Sequence, residues 1–157
     1  MRVYLATDHA GFVLKEALVP FVRELGHDVE DCGAEAFDAQ DDYPVFVGSA
    51  ARKLAADIAD GIESRAIVIG GSGQGEAIVA NRHKGVRAVV YYGEVATPDA
   101  TLDMIVLSRQ HNDTNALSLG ARFLSEEMAK DAVRKWLAAP FSGEERHARR
   151  IGQIESS

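Results

Sequence analysis

The chain holds one cysteine, Cys32, among 157 residues. A single thiol excludes an intramolecular disulfide framework, and no group of Cys and His residues has the spacing of a structural zinc site. A reducing, cytoplasmic setting is the expectation. Apolar runs near 18 residues are also missing, as is an N-terminal basic region leading into an apolar core. Neither a membrane span nor a signal peptide is therefore expected, and the mature chain is expected to begin at Met1. Positive charge is scarce: 17 Lys and Arg stand against 24 Asp and Glu, a net charge of -7. That balance argues against a general affinity for nucleic acid or an anionic membrane surface. Basic residues crowd only at RHARR (146–150).

What the chain does have is core-forming material, 46% hydrophobic residues in a length that suits one domain over 1–157. Short apolar runs rich in β-branched residues recur at 2–7, 27–33, 65–70, 87–92 and 115–120. Segments with helical spacing follow them: 11–26, 42–59, 75–83, a stretch before His111, and 125–139. Pro20 is expected to kink the first helix. Strict alternation predicts an α/β fold: a three-layer, doubly wound, Rossmann-like arrangement with a five-stranded, mostly parallel sheet and helices on both faces. The segment from Pro140 onward has little core-forming pattern, so 140–157 reads as a C-terminal tail that contacts a neighbouring subunit.

Ligands of such sheets sit beyond the carboxyl ends of the strands. Three polar segments fall there: Asp8-His9 after the first strand, GGSGQGE (70–76) after the third, and Gly120-Ala121-Arg122 after the fifth. The glycine-rich loop fits neither major nucleotide signature. Gly75 is followed by Glu76 rather than by Lys-Ser/Thr, and a dinucleotide fingerprint needs a small residue where Glu76 stands. The loop is either a tight turn or a cradle in which amides of Gly71 to Gly75 face an oxyanion. Glu76, in a first helical turn, is expected to stay ionised in the field of the helix dipole and to serve as a base.

Other residues carry two readings each. Asp8 is a helix cap or a ligand group, and HND (111–113) is a turn or a source of a second histidine. Arg122, Arg146 and Arg150 are solvated charges or a phosphate clamp. Cys32 reads as packing rather than as a reactive thiol. A Gly-x-Ser-x-Gly elbow is incomplete at 70–74, and Gly70-Gly71 stands where a phospho-receiver would need an acidic cluster.

Taken in order, Asp8-His9-Ala10-Gly11, Asp42-Tyr43-Pro44, GGSGQGEAIVAN, Gly85-Val86-Arg87-Ala88, His111-Asn112-Asp113, Leu119-Gly120-Ala121-Arg122 and RHARR resemble the ribose-5-phosphate isomerase B family. That family includes the galactose-6-phosphate isomerase subunits. The resemblance runs from Met1 to about residue 151. Many members place a cysteine base where this chain has Gly70, and the chain is similar to the subgroup that uses a glutamate at the position of Glu76. The stretch between Tyr92 and Asp113 is longer than is usual in the family.

The resemblance implies an aldose-ketose isomerase acting on ribose 5-phosphate through an enediolate, with no cofactor and no metal. It gives Glu76 the proton transfer, Ser72 a relay and His111 the opening of the sugar ring. Asp8, His9, Tyr43, Gly71, Gly73, Gly75 and Asn112 would hold the substrate, and His9, Arg122, Arg146 and Arg150 its phosphate. It also implies a homodimer or homotetramer with shared sites. Allose or galactose 6-phosphate, or a tetrose phosphate, are alternative substrates, and a non-catalytic phosphosugar-binding protein is a further alternative.

Overall fold

A computed structural model describes residues 1–94 and 102–156. Five strands form one sheet: β1 (Arg2–Thr7), β2 (Asp28–Asp31), β3 (Ser64–Gly70), β4 (Ala88–Tyr91) and β5 (Ala116–Gly120). Their spatial order is β2-β1-β3-β5-β4, and every described pairing is parallel. All carboxyl ends therefore share one edge. The helices are α1 (Phe12–Glu24), α2 (Tyr43–Ala59), α3 (Gln74–Ala80), α4 (Met104–Asn112), α5 (Glu126–Ala138) and α6 (Glu145–Glu155).

Alternation along the strands divides the apolar side chains between two cores, because successive residues point to opposite faces. Val3, Leu5, Ile67, Ile69, Leu117 and Leu119 pack with residues of α1, α4 and α5. Tyr4, Ala6, Ala66, Val68 and Ala116 pack with α2 and Ala80 of α3. Helices thus cover both faces, as the alternation predicts, and β3 is buried along its whole length at the centre. Lys15 of α1 is fully buried and forms ion pairs with Asp31 at the end of β2 and with Glu16, which fastens the helix to the sheet edge. No helix among the described residues is long and apolar enough to cross a membrane.

Helix α1 runs through Pro20 to Glu24 without a break in its assignment. The C-terminal segment after Pro140 carries α6, in which His147 is the one buried residue. It is held by polar contacts instead of by a core face. Arg87 bonds Glu155 at 2.7 Å and Asp113 at 3.2 Å, and the His147 ring stacks on His111 with centroids 4.3 Å apart. An apolar pattern was absent because apolar burial does not hold this helix. The long stretch between Tyr92 and Asp113 falls partly on 95–101, outside the described residues; α4 occupies its second half.

Candidate active site

The carboxyl ends of β1, β3 and β5 are adjacent in the sheet, so the three polar segments after them meet. Thr7 Oγ1 donates to Ile69 O at 2.9 Å, binding the ends of β1 and β3. Arg122 N–H donates to Gly71 O at 3.1 Å, and Ser118 Oγ donates to Gly73 O at 2.6 Å, binding the glycine loop to β5. Gly73 has φ of 75°, a left-handed conformation that glycine adopts at little cost, and it caps α3. No described residue accepts the N–H groups of Gly71, Ser72 or Gly73, whereas Gln74 N–H donates weakly to Ser72 Oγ at 3.4 Å. Unengaged amides of this kind are donors available to an oxyanion.

Glu76 turns back from α3 towards the strand it follows. It is 4% exposed. A Cβ placed on Gly70 would lie 1.8 Å from Glu76 Oε1, so the carboxylate occupies the volume that a side chain at position 70 would enter. Glycine at 70 is what admits the glutamate. The helix dipole is expected to keep this group ionised, and burial acts against it. Burial pushes its carboxyl above the usual range, the Asp8 charge adds to the rise, and the Glu76 backbone N–H opposes it. With α3 only seven residues long and the side chain dry, desolvation outweighs the terminal field.

Asp8 is buried and caps the turn at 9–11, its Oδ1 accepting Ala10 N–H at 2.9 Å. The capping reading is therefore realised, and it also holds the carboxylate within electrostatic reach of Glu76. His9 is anchored by Asp41, a residue the sequence motifs passed over. Asp41 Oδ1 accepts the His9 backbone N–H at 2.9 Å and faces Nδ1 at 2.7 Å. Asp8, His9 and Asp41 bring ligand-type atoms within 4.8 Å of one another, but Nδ1 and Oδ1 already engage each other. The geometry carries no cation assignment. The only sequence signal for Asp41 was the DD pair before Tyr-Pro, in which Asp42, not Asp41, sits at the cap position of α2 and makes no side-chain cap bond.

Tyr43 and Arg122 complete this edge. The Tyr43 hydroxyl lies against Gly75, where a Cβ would come within 2.5 Å, and the Arg122 guanidinium lies over Gly71, within 3.0 Å of the same construction. Glycine at 75 and 71 lets both polar groups approach the loop backbone. Cys32 is half-buried, 3.8 Å from Lys53 Nζ, and burial raises its thiol, which fits packing rather than reactivity.

The remaining expected residues stand elsewhere. His111 and Asn112 end α4 just before β5 begins, at the amino edge of the sheet, where Arg87 Nε donates to Asn112 O at 3.0 Å. Strand β5 alone separates that edge from the glycine loop by about 16 Å at the usual strand rise. Arg146 and Arg150 project from α6 on the same side as His111; both are exposed, and Arg146 pairs with Glu144. Within one chain, His111, Arg146 and Arg150 thus lie towards the opposite edge from Arg122 and the loop, and the clamp is expected of sites shared between copies. The order along the chain agrees with this placement, because HND precedes a strand whose opposite end carries the loop contacts. His111 borders a groove of about 400 Å³ along β4, with Tyr91, Met104 and Leu107. Burial and the neighbouring His111 charge lower the His147 imidazole beneath it.

The sequence profile described as Ribose/Galactose Isomerase matches residues 3–154. The chain belongs to the ribose/galactose isomerase family. Among curated members, the ribose-5-phosphate isomerase B of Mycolicibacterium paratuberculosis is 38% identical over 96% of this chain and 87% of its own length. That of Escherichia coli is 37% identical over 98% of this chain and 93% of its own. A crystal structure of ribose-5-phosphate isomerase B from Mycoplasma genitalium with bound ribulose 5-phosphate superposes with a TM-score of 0.88 at 33% identity, covering 99% of this chain and 94% of that one. Such coverage includes α6 and the glycine loop alike. Within the ribose/galactose isomerase fold, the packing of Glu76 into the space beside Gly70 is the feature that bears most directly on chemistry.

Proposed function

We propose that the chain interconverts D-ribose 5-phosphate and D-ribulose 5-phosphate through an enediolate, with Glu76 moving the proton. The observation that carries the reading is the buried Glu76 carboxylate beside Gly70, facing a loop with unengaged amides. Aldose-ketose isomerisation shifts a proton between neighbouring carbons and changes no overall oxidation state. It needs a base that reaches both carbons and donors that stabilise the oxygen charge developing between them. A carboxylate raised by burial is a stronger base than a solvated one, which brings its basicity nearer to the task at neutral pH. Amides of Gly71, Gly73 and Gly75 would stabilise the oxyanion, Ser72 would relay a proton between the two oxygens, and Tyr43 and Asp8 would hold hydroxyl groups.

Ring opening needs a second acid-base group, which we assign to His111 of another copy of the chain. Asn112, Arg146 and Arg150 of that copy would hold the sugar and its phosphate, opposite His9 and Arg122 of the first. The separation of the two residue sets within one chain supports a homodimer as the minimum unit, with a homotetramer built on it. Helix α6 then brings its exposed arginines to the neighbour, the role expected of the C-terminal segment. The whole of 1–157 would act as one sugar-phosphate isomerase domain. A cytoplasmic setting suits the lone thiol and the phosphorylated substrate.

A panel of aldose phosphates of four to six carbons, assayed for ketose formation, tests the proposal. The account expects the highest kcat/KM for ribose 5-phosphate. A preference for a tetrose or a hexose phosphate would transfer the same mechanism to that substrate, and binding without turnover of any member would refute the isomerase reading.

A further inference from the structure

We propose that Asp41 is a positioning residue that fixes His9 through Nδ1 and holds it as an imidazolium, so that Nε2–H is offered to the anionic end of the substrate. The identity of that anion as a sugar phosphate rests on the isomerase reading; the state of His9 does not. Asp41 has a side chain only 9% exposed, and one of its oxygens accepts both bonds from His9. Its other oxygen, Oδ2, is buried with no partner among the described residues. A carboxylate withdrawn from water this far is costly unless a positive group stands against it, and His9 is the one in contact. Gripping His9 by backbone and ring together also removes its rotameric freedom. Phe37 packs edge-on to the imidazole at 6.3 Å between centroids and is backed by Phe12.

The surroundings explain why the charge is needed. Asp8, Asp41 and Glu76 place three carboxyl groups at this edge, and Arg122 is the cation over the glycine loop. Within one chain, His9 is then the second cation that an incoming phosphate can meet, beside the Arg146 and Arg150 that the neighbouring copy would bring. A neutral imidazole donating from Nδ1 would present a bare lone pair at Nε2, which repels a phosphate oxygen, whereas the imidazolium presents a donor. The charged groups facing His9 are Asp41 and Asp8, whose Oδ2 lies 4.0 Å from Nδ1; Phe12 and Phe37 bring none. The Asp41 hydrogen bond raises the imidazole above its ordinary value; burial opposes this and the Asp8 charge reinforces it. A raised value keeps the cation present below it and surrenders it as pH climbs through it. Asp41 therefore extends anion binding to higher pH.

The test is a titration of His9 by imidazole ¹⁵N NMR in the ligand-free full chain, paired with KM and kcat for ribose 5-phosphate between pH 6 and 9. Wild-type His9 should titrate above the usual value of about 6.5, and Asp41→Asn should bring it back towards that value. The same variant should raise KM by up to about tenfold, the size of a lost charge-assisted contact, at pH values where wild-type His9 is still charged and the variant's is not, while KM at pH 6 and kcat change far less. Wild-type His9 titrating at or below its ordinary value would overturn the proposal, and that measurement stands even where the variant does not fold. So would an unmoved titration in Asp41→Asn, or a KM raised equally at every pH. A wild-type chain that fails to turn over ribose 5-phosphate would instead refute the isomerase reading and leave the His9 titration to decide the role of Asp41.

Discussion

Gly70 and Glu76 divide one volume between them. A side chain at 70 and the carboxylate at 76 cannot both occupy the space beside the glycine loop, since the added Cβ would meet Oε1, Cδ and Oε2 at 1.8, 2.1 and 2.6 Å. The obstructing atoms are the end of a flexible side chain, so Gly70→Ala should leave the fold intact and drive the carboxylate away. Its backbone has no positive φ that alanine would resist. We expect kcat to fall by at least about 100-fold, in the range of a lost general base, with stability changed by less than about 1 kcal/mol. Combined with Glu76→Gln it should cost little more than either alone, because both remove the same group. Steady-state kinetics of the two single variants and the double variant check this, and additive losses would show that Gly70 acts by another route.

At the scale of elements, the loop between β3 and α3 owes its shape to β5. Ser118 reaches across to the carbonyl of Gly73, the residue in left-handed conformation, and both lie out of solvent. Ser118→Ala leaves that carbonyl without its partner, which costs about 1 to 2 kcal/mol. In a chain of this length the Tm should then fall by about 2 to 8 °C, and kcat should drop with it as the amides lose their alignment. A thermal melt alongside the kinetics checks both; an unchanged kcat would mean that the loop holds its shape without β5. The strands and their alternation were legible because apolar period and turn residues report burial directly, and Asp8, His9, Arg122 and the loop were legible because strand ends carry ligands. Asp41 and Ser118 were not, since each acts on a single distant residue, His9 or Gly73, through contacts that leave no periodic trace. Helix α6 was missed for a related reason: its contacts are the His147 stack on His111 and the reach of Glu155 to Arg87, which a search for apolar faces passes over.

Across the whole molecule, the expected residues divide into two sets at opposite edges of the sheet. Asp8, His9, Tyr43, Glu76 and Arg122 lie at the carboxyl edge, and His111, Asn112, Arg146 and Arg150 towards the amino edge and α6. Resemblance supplied the list, but a linear motif carries no information about which copy supplies each member. If one site draws on two chains, Glu76→Gln and His111→Asn should each be inactive alone yet recover activity when mixed. A mixed dimer would then hold one intact site and one doubly damaged site. Random exchange makes half the dimers mixed, so the mixture should recover about a quarter of wild-type activity. Absence of recovery after demonstrated subunit exchange would place the complete site within a single chain.

Underlying all three scales is the assignment of proton transfer to Glu76, and the most direct measurement is the isomerisation of ribose 5-phosphate by Glu76→Gln, followed together with exchange of the hydrogen at C2 with solvent. Glutamine fills nearly the same volume beside Gly70 but cannot accept the proton. The account predicts that both rates fall together by about 100- to 10,000-fold while the phosphosugar still binds. A loss of less than about tenfold, or C2 exchange that continues at the wild-type rate, would contradict it.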